Sequence, residues 1–448
     1  MGIKFGLCGL GGFGKQFLQL FQAHPFVDNV VITDLDKERL QKASAEFGIE
    51  NTVEDFDQLL KTDVDAVGIF TQRWKHCPQA VKALRAGKHV YSAVPAAVTL
   101  EELQELLDTV KETGLLYMLG ETSYYRPQTI YCRKRYADGD FGRFVYGEGQ
   151  YYHDMYRFYA PFYGSNEDDW KSCASFPPML YPTHSVAHIL SVTFSRMTEV
   201  SCFGFKDNHP DGIFREELSR WNNMFSNQTG LFRTADGGTA RINEFRRAAA
   251  GESRMSIIGT DGAYEEQPAP YEWAPAYEAA ENGGYRNVTV NSAVWVHLDK
   301  TEENPAGGRF DYRKKYIKPR YEDVSDLHSY FFGVEINEQN LGNLPREYIG
   351  KKHLGVCSAH PVDRLPKEFV GLPNKHCGSH QFLVVDFLES LRTGKLPPNH
   401  VWAAARYNAP GIVAHDSSKK EGELMKIPDF GAPPEDAELL DPRSALRD

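Results

Sequence analysis

The sequence predicts an α/β fold with a doubly wound parallel sheet in its N-terminal third, followed by a second domain. Short apolar segments alternate with helical segments up to about residue 120, which is the pattern of parallel strands joined by crossover helices. A glycine-rich turn separates the first apolar segment from the first helical segment. The chain of 448 residues exceeds the length at which one hydrophobic core keeps growing, so we expect two domains.

Composition limits the class of protein. Hydrophobic residues make up 41% of the chain and charged residues 25%, as in ordinary globular proteins, and no apolar run is long enough to span a bilayer. A formal charge of -11 without a strong basic patch argues against nucleic acid as a partner. The seven cysteines form no Cys-x-x-Cys pair, and the N-terminus lacks the features of a secretion signal. These features predict reduced thiols, no membrane association and a cytoplasmic location.

The first turn has the pattern of a dinucleotide-binding site. Ile3–Cys8 reads as a buried strand and Lys15–Ala23 as a helix. The spacing G-x-G-x-x-G between them allows a tight turn, a close approach of the backbone to a diphosphate, and close packing of the helix. The positive end of the helix dipole would face the phosphates. The predicted cofactor contacts in this turn are Gly9, Gly11, Gly12, Phe13 and Gly14.

An acidic residue at the end of the second strand predicts which dinucleotide binds. Val30–Thr33 reads as a strand that ends at Asp34, twenty residues after Gly14. A carboxylate at this place accepts hydrogen bonds from both hydroxyls of the adenosine ribose and repels a 2'-phosphate. The next residues, Leu35 and Asp36, provide no arginine for such a phosphate. The sequence therefore predicts NAD rather than NADP.

The alternation continues through the rest of the N-terminal third. Helices are predicted at 37–47, 53–60, 78–86 and 100–113, and strands at 66–70, 89–91 and 116–118. Ligands of doubly wound folds bind beyond the carboxyl ends of the strands, so the residues directly after each strand are candidates. The predicted cofactor-binding residues in these loops are Thr71, Arg73, His76, Ala93, Val94, Pro95, Glu121 and Thr122.

The start of the second domain is rich in aromatic and titratable side chains. Phe144–Tyr152 reads as a strand, and residues 151–159 are unusually aromatic. Aromatic faces stack on pyranose rings while histidine, aspartate and arginine bind hydroxyls, so a sugar site is one interpretation. An aromatic sheet face or a subunit contact is the alternative. In the first interpretation the substrate-binding residues are Tyr152, Tyr156 and Arg157, and the candidate acids or bases are His153 and Asp154.

A second group of polar residues precedes a helix predicted at Ser185–Val192. Histidine is the residue type whose ordinary pKa lies near neutrality, so His184 is a candidate general base. His188 lies one turn further on the same face, but no third ligand stands at metal-motif spacing, so no metal site is predicted. Residues 267–304 and 302–320 show little periodicity and are interpreted as long insertions in the second domain.

Several segments resemble the glucose-fructose oxidoreductase, inositol dehydrogenase and MocA (Gfo/Idh/MocA) family. They are the glycine turn with Asp34, AL-x-AGKHV at 83–90, G-x-FG at 139–142, IIGTDGAYE at 257–265 and H-x5-DFLESLRTGKLPP at 380–398. The resemblance implies an NAD-binding Rossmann domain at 1–122, a domain at 123–428 built on a large open antiparallel sheet, and a peripheral tail at 429–448. It also implies sugar or polyol substrates, a helix at 380–394 that packs back on the first domain, and a homodimer or homotetramer formed through the sheet.

One departure from this family bears on the mechanism. The family has Glu-Lys-Pro after the fourth strand, where the lysine transfers a proton, whereas this chain has Ala93-Val94-Pro95. Residues 93–99 instead resemble a lysine-less branch, the NAD-dependent glycoside hydrolases similar to alpha-N-acetylgalactosaminidases, which read Glu-Val-Pro-Ala-Ala-Val-Thr. That branch also has a Tyr-x-Thr-His segment, which implies that Tyr181, Thr183 and His184 reach the substrate. Because Ala93 replaces the branch's glutamate and its twin-arginine signal is missing, the identity of the substrate does not carry over.

Together these features predict an NAD-dependent enzyme that acts on pyranose sugars or glycosides. In the related glycosidases NAD takes a hydride from C3, the ketone acidifies the C2 proton, the aglycone is eliminated, water adds and the hydride returns. The bases would come from Tyr181, His184, His153 and Asp154, and the family's histidine aligns with either His184 or Ser185. A plain sugar dehydrogenase and a non-catalytic NAD- or sugar-binding protein are the alternatives. The sequence leaves open the sugar, the choice between Tyr181 and His184 as base, and the roles of the histidines between 328 and 376.

Overall fold

The first sheet is parallel and lies in the N-terminal part of the chain. The computed structural model describes residues 2–153, 170–248, 252–267, 292–299, 318–444 and 446. The strands of the first sheet are β1 (Ile3–Cys8), β2 (Val27–Thr33), β3 (Ala66–Ile69), β4 (His89–Ser92) and β5 (Tyr117–Leu119). Their order is β2-β1-β3-β4-β5, and every pair is parallel. The direction of the strand order reverses between β1 and β3, which is where doubly wound sheets bind their ligands.

Five helices accompany these strands in the predicted alternation. They are α1 (Gly12–Ala23), α2 (Lys37–Phe47), α3 (Phe56–Lys61), α4 (His76–Arg85) and α5 (Leu100–Thr113). Asp36 and Thr99 cap the starts of α2 and α5 by accepting a backbone N–H, and Gly48 and Gly114 end these helices with positive φ. The observed bounds of α2 and α5 are identical to those predicted from the sequence, because local capping residues determine both ends of each helix.

The second sheet has nine strands in the described residues. They are β6 (Phe144–Tyr152), β7 (Met197–Lys206), β8 (Phe225–Thr234), β9 (Thr239–Phe245), β10 (Glu252–Gly259), β11 (Gly262–Gln267), β12 (Ser292–Asp299), β13 (Lys318–Asp323) and, after a two-strand ribbon of β14 (Val334–Glu335) and β15 (Lys352–His353), β16 (Met425–Lys426). Their order is β13-β12-β11-β10-β6-β9-β8-β7-β16, and only β6 and β9 pair in parallel. The large, mainly antiparallel sheet is therefore confirmed.

The interpretation of residues 267–304 and 302–320 as insertions is wrong where β12 and β13 lie. These two strands extend the sheet beyond β11. Ala293 and Trp295 of β12 are each 1% exposed, so the strand packs like a core strand. In the sequence, the alternation of apolar and polar residues in β12 is short and is flanked by polar segments, so it does not stand out as a strand.

At least two helices pack on the second sheet. The further helices of the described residues are α6 (Pro127–Ala137), α7 (Trp170–Ala174), α8 (Thr183–Thr193), α9 (Lys375–Thr393) and α10 (Val401–Lys419), of which α8 and α10 contact this sheet. A Cβ added to Gly149 of β6 would lie 2.0 Å from the carbonyl oxygen of Ser185, and one added to Gly147 would lie 3.0 Å from Ile189. These two glycines therefore allow α8, with His184 in its first turn, to lie close to the sheet.

The late helix α9 packs against the N-terminal sheet. The ring of Phe387 lies edge-on to the rings of Phe5 in β1 and Phe21 in α1, with centroids 6.2 Å apart in both cases. Beyond the carboxyl ends of the parallel strands, the loop after β5 contacts both α8 and the start of α9, and we call the region between these elements and the glycine-rich turn the crevice. Among the described residues, no helix combines the length and the apolar character needed to cross a membrane.

Candidate functional site

The glycine turn, residues 9–14, joins β1 to α1 and has open space above it. Gly9 has φ +97°, and a Cβ there would lie 2.5 Å from the carbonyl oxygen of Phe70. A Cβ at Gly14 would lie 2.0 Å from the carbonyl oxygen of Gly9, whereas at Gly11 or Gly12 it would meet nothing within 4 Å. The first turn of α1 therefore presents its N–H groups and its positive dipole end to open space, which fits a diphosphate.

Asp34 follows β2 beside the glycine turn and is 7% exposed. Its carboxylate accepts hydrogen bonds from the backbone N–H of Leu10 (2.7 Å) and of Asp36 (2.9 Å), which fix it where an adenosine ribose would lie. Arg39, one turn into α2, lies 3.2 Å from a carboxylate oxygen of each acid. Arg39 was not predicted from the sequence, because only the residues directly after the strand were considered. Two carboxylates against one guanidinium leave a negative charge here, which disfavours a 2'-phosphate.

The loops after β3 and β4 are tied together by His76. This histidine is 1% exposed, and its ring nitrogens lie 2.9 Å from the carbonyl oxygen of Pro95 and 3.0 Å from that of Thr71. Its ring therefore connects the two loops. Ala93 and Val94 are 6% and 5% exposed, and neither offers a polar side-chain atom where the family has glutamate and lysine. Any proton transfer in the crevice must use other side chains.

A buried pair of carboxylate and imidazole lies where α8 meets the loop after β5. Oε1 of Glu121 accepts a hydrogen bond from Nδ1 of His184 (2.7 Å) and another from the backbone N–H of Ser123 (2.7 Å). Glu121 is 0% exposed and His184 3%. The hydroxyl of Ser379 in α9 donates to the carbonyl oxygen of Thr122 (2.6 Å) and fixes the loop from the other side. With Nδ1 donating to the carboxylate, Nε2 of His184 is left as a proton acceptor.

The electrostatics of this pair favour a charged carboxylate. Burial alone would raise the pKa of Glu121, but attraction to the imidazolium form of His184 and the hydrogen bonds from His184 and Ser123 outweigh it and hold this pKa below its ordinary value. Glu121 can therefore stabilise an imidazolium when His184 accepts a proton. Its negative charge also lies near the first turn of α8, where the helix dipole favours it.

Aromatic and imidazole side chains surround His184. The rings of Tyr151 and Tyr181 lie 5.0 and 5.3 Å from the His184 ring, and His153 lies 5.1 Å from Tyr151. Burial raises the pKa of Tyr181, and the nearby arginine charges oppose this rise. Burial and the same charges lower the pKa of His153 to about 3, so its imidazole is neutral at pH 7 and a weak base. Tyr181 therefore keeps its proton at pH 7 and suits a hydrogen-bond donor, which leaves His184 better placed than Tyr181 or His153 to act as the base.

The structure does not bring Tyr152 to this group. Neighbouring residues of β6 point to opposite faces of the sheet, so Tyr151 faces α8 and Tyr152 faces away from it. The ring of Tyr152 stacks on Phe245 at 4.7 Å, and Asn243 donates a hydrogen bond of 3.4 Å to its hydroxyl. Tyr151, which the sequence analysis did not select, lies in the crevice instead.

Two arginines lie beside Tyr181. The guanidinium carbon of Arg73 is 4.6 Å from the Tyr181 ring centroid, and that of Arg246 is 5.7 Å from it. Arg246 donates a hydrogen bond of 2.8 Å to the buried carboxylate of Glu244, which also accepts one from the hydroxyl of Ser185. Burial raises the pKa of Glu244 to about 7, although the charge of Arg246 opposes the rise. Arg246 and Glu244 could not be selected from the sequence, because only the pairing of β9 with β6 brings them under α8.

His376 is a second side chain that the sequence left without a role. Three consecutive residues, His376, Cys377 and Gly378, have positive φ at the start of α9. The ring of His376 lies 4.7 Å from that of His380, with Nδ1 and Nε2 2.7 Å apart, and 5.4 Å from the ring of Phe13 in the glycine turn. Burial lowers the pKa of His376 to about 3, so its ring is neutral at pH 7. The sequence feature that could have indicated this contact is the spacing of four residues between His376 and His380.

The remaining predicted residues fall into two groups. Asp154, Tyr156 and Arg157 lie outside the described residues. Thr183 is the first residue of α8 and is fully buried, while His188 lies in the core, 2.8 Å from the hydroxyl of Ser253. Across the described ranges, no group of three or more His, Cys, Asp or Glu side chains is arranged to hold a metal ion.

Comparison with known proteins agrees with this geometry. Residues 3–121 match the Gfo/Idh/MocA family, described as an oxidoreductase family with an NAD-binding Rossmann fold. A protein named glycosyl hydrolase family 109 protein from Streptomyces filamentosus is 25% identical over 96% of this chain and 77% of its own length. Another protein of that name from a Shewanella species is 27% identical over 69% of this chain and 74% of its own length.

Solved structures share the whole fold. A levoglucosan dehydrogenase in complex with NADH and levoglucosan has a TM-score of 0.63 at 17% identity, over 96% of this chain and 100% of its own. A scyllo-inositol dehydrogenase from Lactobacillus casei has a TM-score of 0.58 at 16% identity, over 95% of this chain and 98% of its own. Residues 3–121, which contain the parallel sheet, are therefore similar to the Gfo/Idh/MocA oxidoreductase family, whose members bind NAD in a Rossmann fold.

Proposed function

We propose that this chain is an NAD-dependent enzyme that acts on pyranose sugars or glycosides through a transient ketone at C3. The observation that supports this most is the buried Glu121–His184 pair, a proton acceptor at the carboxyl end of the parallel sheet in a chain whose family lysine is replaced by Val94. The similarity to proteins named glycosyl hydrolase family 109, over 96% of the chain, supports a sugar substrate.

The residues of the crevice fit distinct roles in such a reaction. The glycine turn together with Asp34 would hold the diphosphate and ribose of NAD, whose nicotinamide would supply a hydride acceptor for the sugar carbon. Nε2 of His184 would accept the proton of the hydroxyl that is oxidised, while Glu121 stabilises the imidazolium. The hydroxyl of Tyr181 would bind the developing ketone oxygen or donate a proton to the leaving group. The rings of Tyr151 and Tyr181 offer faces on which a pyranose stacks.

Redox-neutral cleavage is the first candidate for the net reaction. A ketone at C3 acidifies the proton on C2, and its removal expels the aglycone without the carboxylic acid pair of ordinary glycosidases. The resemblance of residues 93–99 to the lysine-less branch supports this route. A plain sugar dehydrogenase is the second candidate, because the chain shares its fold with levoglucosan and inositol dehydrogenases.

One assay separates these candidates. The purified chain, stripped of cofactor, is incubated with a panel of nitrophenyl glycosides and free sugars, with and without NAD. Redox-neutral cleavage releases the aglycone only when NAD is present and accumulates no NADH. A dehydrogenase accumulates one NADH per oxidised sugar and releases no aglycone. Failure to produce either product from any member of the panel would contradict both candidates.

We also propose a homodimer formed through the second sheet, in a reducing cytoplasmic environment. Phe203 and Phe205 of β7 and Leu231 of β8 are 63%, 60% and 61% exposed, on the face opposite to buried Val200 and Cys202. An apolar face of this kind on a sheet is typical of a subunit contact. The seven cysteines are thiols rather than disulfides, which suits a reducing compartment.

A further inference from the structure

Arg73 carries a charge that the described part of the protein does not balance. Its guanidinium lies over two aromatic rings, 4.6 Å from the centroid of Tyr181 and 5.3 Å from that of Phe176. None of the described carboxylates lies within 4.0 Å of it, and its neighbouring charge is a second cation, Arg246. Arg246 has its own carboxylate, because it pairs with Glu244 at 2.8 Å. Of the two arginines, Arg73 is therefore the one that has no described carboxylate partner.

Arg73 is partly exposed, and the aromatic rings beside it supply no counter-charge. Desolvation and the charge of Arg246 lower the pKa of Arg73, although Tyr181 and Tyr151 oppose this change. Cation–π contacts recover only part of the hydration free energy that a guanidinium loses on burial. A charged side chain that lines a binding site and has no counter-charge from the protein is ordinarily neutralised by a bound ligand of the opposite charge.

Two ligands could supply this anion: the diphosphate of NAD and a group on the substrate. The direction of the side chain favours the substrate, since both rings under Arg73 belong to the segment that leads into α8. The aromatic side chain of the glycine turn, Phe13, contacts His376 and His380 instead. The charge of Arg73 also acts on His153 and on Tyr181, at the end of the crevice where His184 lies.

We propose that Arg73 binds an oxyanion of the substrate, and therefore that the substrate is an acidic pyranose. A planar guanidinium matches the geometry of a carboxylate or a phosphate through two parallel hydrogen bonds. The two sources of this chemistry are the carboxylate of a hexuronic acid and the phosphate of a sugar phosphate. The proposal rests on the proposed function, because it names the substrate class of the same site.

The test compares pairs of sugars that share a ring configuration and differ in the presence of an acidic group. Nitrophenyl glucosides and glucuronides, nitrophenyl galactosides and galacturonides, and glucose with glucose phosphate form neutral and acidic pairs, all assayed with NAD present. Wild type is expected to show a kcat/KM about tenfold or more higher for the acidic member of at least one pair. The uronide pairs and the phosphate pair distinguish a carboxylate from a phosphate.

Arg73→Gln should remove this preference, mainly through KM, by lowering kcat/KM for the acidic member about tenfold more than for the neutral one. Arg73→Lys, which keeps the charge without the planar fork, should fall between the two. Arg220→Gln is the matched control, because Arg220 also lies over an aromatic ring, 5.0 Å from Trp74, but is exposed. The Arg220→Gln variant should keep the wild-type ratio of kcat/KM between the acidic and the neutral member of each pair.

Three results would overturn the proposal. Wild type could prefer the neutral member of every pair, in which case the proposed function stands and the acidic substrate class does not. Arg73→Gln could weaken NAD binding about tenfold and slow both members equally, which would assign Arg73 to the cofactor diphosphate. If no sugar is turned over, the proposed function fails, and calorimetry of glucuronate and glucose phosphate with NAD-loaded wild type and Arg73→Gln decides instead. Equal or absent binding to both proteins would then refute the anion site.

Discussion

At the scale of single residues, the chemistry depends on how Glu121 fixes His184. The hydrogen bond of 2.7 Å between Oε1 of Glu121 and Nδ1 of His184 orients the imidazole, and the rings of Tyr151 and Tyr181 lie 5.0 and 5.3 Å from the His184 ring. Because the pKa of Glu121 is held below its ordinary value, the carboxylate is charged at neutral pH and can balance a proton on His184. Val94 gives the chain no lysine, so this pair is the described group best suited to move the proton.

Replacing the carboxylate by its isosteric amide isolates this contribution. Glu121→Gln should lower kcat on the order of 10²–10⁴-fold, because the amide cannot stabilise the imidazolium. NAD affinity, measured by quenching of protein fluorescence, should stay within about threefold of wild type, because the side chain keeps its size.

A buried histidine of the same helix provides the control for this variant. His188 lies one turn after His184, but its Nε2 is 2.8 Å from the hydroxyl of Ser253 in the core. His188→Gln should lower the thermal unfolding midpoint and leave kcat within about threefold of wild type. If Glu121→Gln kept the kcat of wild type, the role given to the pair would be wrong.

The sequence predicted individual residues well where chemistry and local spacing coincide. Asp34 follows from its distance to the glycine turn, and His184 from being a histidine placed at the start of a helix. Tyr152 and Tyr151 show the limit, because an aromatic run does not reveal which of two neighbours faces the crevice until the register of β6 is known. Arg246 required pairing between distant strands, and the ion pair of Arg39 with Asp34 required the geometry of α2.

At the scale of elements, the glycine turn sets two separate requirements. Gly14 is required by the fold, since a Cβ there would lie 2.0 Å from the carbonyl oxygen of Gly9. Gly11 has φ -62° and nothing within 4 Å of a Cβ, so the protein itself would accept alanine there. Its only steric requirement is the space that a diphosphate would occupy.

Two alanine substitutions separate these requirements. Gly11→Ala should weaken NAD binding about tenfold or more and leave the thermal midpoint unchanged, because the methyl group occupies diphosphate space only. Gly14→Ala should lower the midpoint, because α1 must move away from β1 to accommodate the Cβ. Calorimetry with NAD and a thermal melt measure both effects. Equal NAD affinities for Gly11→Ala and wild type would place the diphosphate elsewhere.

Elements were predictable where their ends carry local signals. The bounds of α2 and α5 follow from the caps Asp36 and Thr99 and the glycines that end them. β12 lacks such signals because it stands between polar segments, so its place in the sheet comes from pairing with β11 and β13. The start of α9 also escaped prediction, since three consecutive positive φ angles place His376 beside the glycine turn.

At the scale of the whole molecule, two sheets meet at one crevice and the larger sheet keeps a free face. α9 packs on the parallel sheet through Phe387, while α8 lies on the second sheet over Gly147 and Gly149. The other face of the second sheet exposes Phe203 and Leu231. The division of the chain at residues 122 and 428 stays a prediction.

Charges placed on that free face should disrupt the proposed dimer. Sedimentation should give wild type twice the chain mass of 50.7 kDa, and the double variant Phe203→Glu with Leu231→Glu should sediment as a monomer. Phe332→Glu is the control, because Phe332 is 77% exposed outside this sheet and its variant should remain dimeric. A monomeric wild type, or a double variant that stays dimeric, would show that the free face is not the subunit contact.

The central claim is that NAD bound at the glycine turn exchanges a hydride with a sugar held beside His184 and Tyr181. Rapid mixing of NAD-loaded enzyme with a sugar that it turns over tests this claim most directly. We expect a rise in NADH absorbance of up to one equivalent per active site in the first turnover, transient if the reaction is redox-neutral, and much slower in Glu121→Gln. Turnover of the sugar with no NADH formed at any time would contradict it.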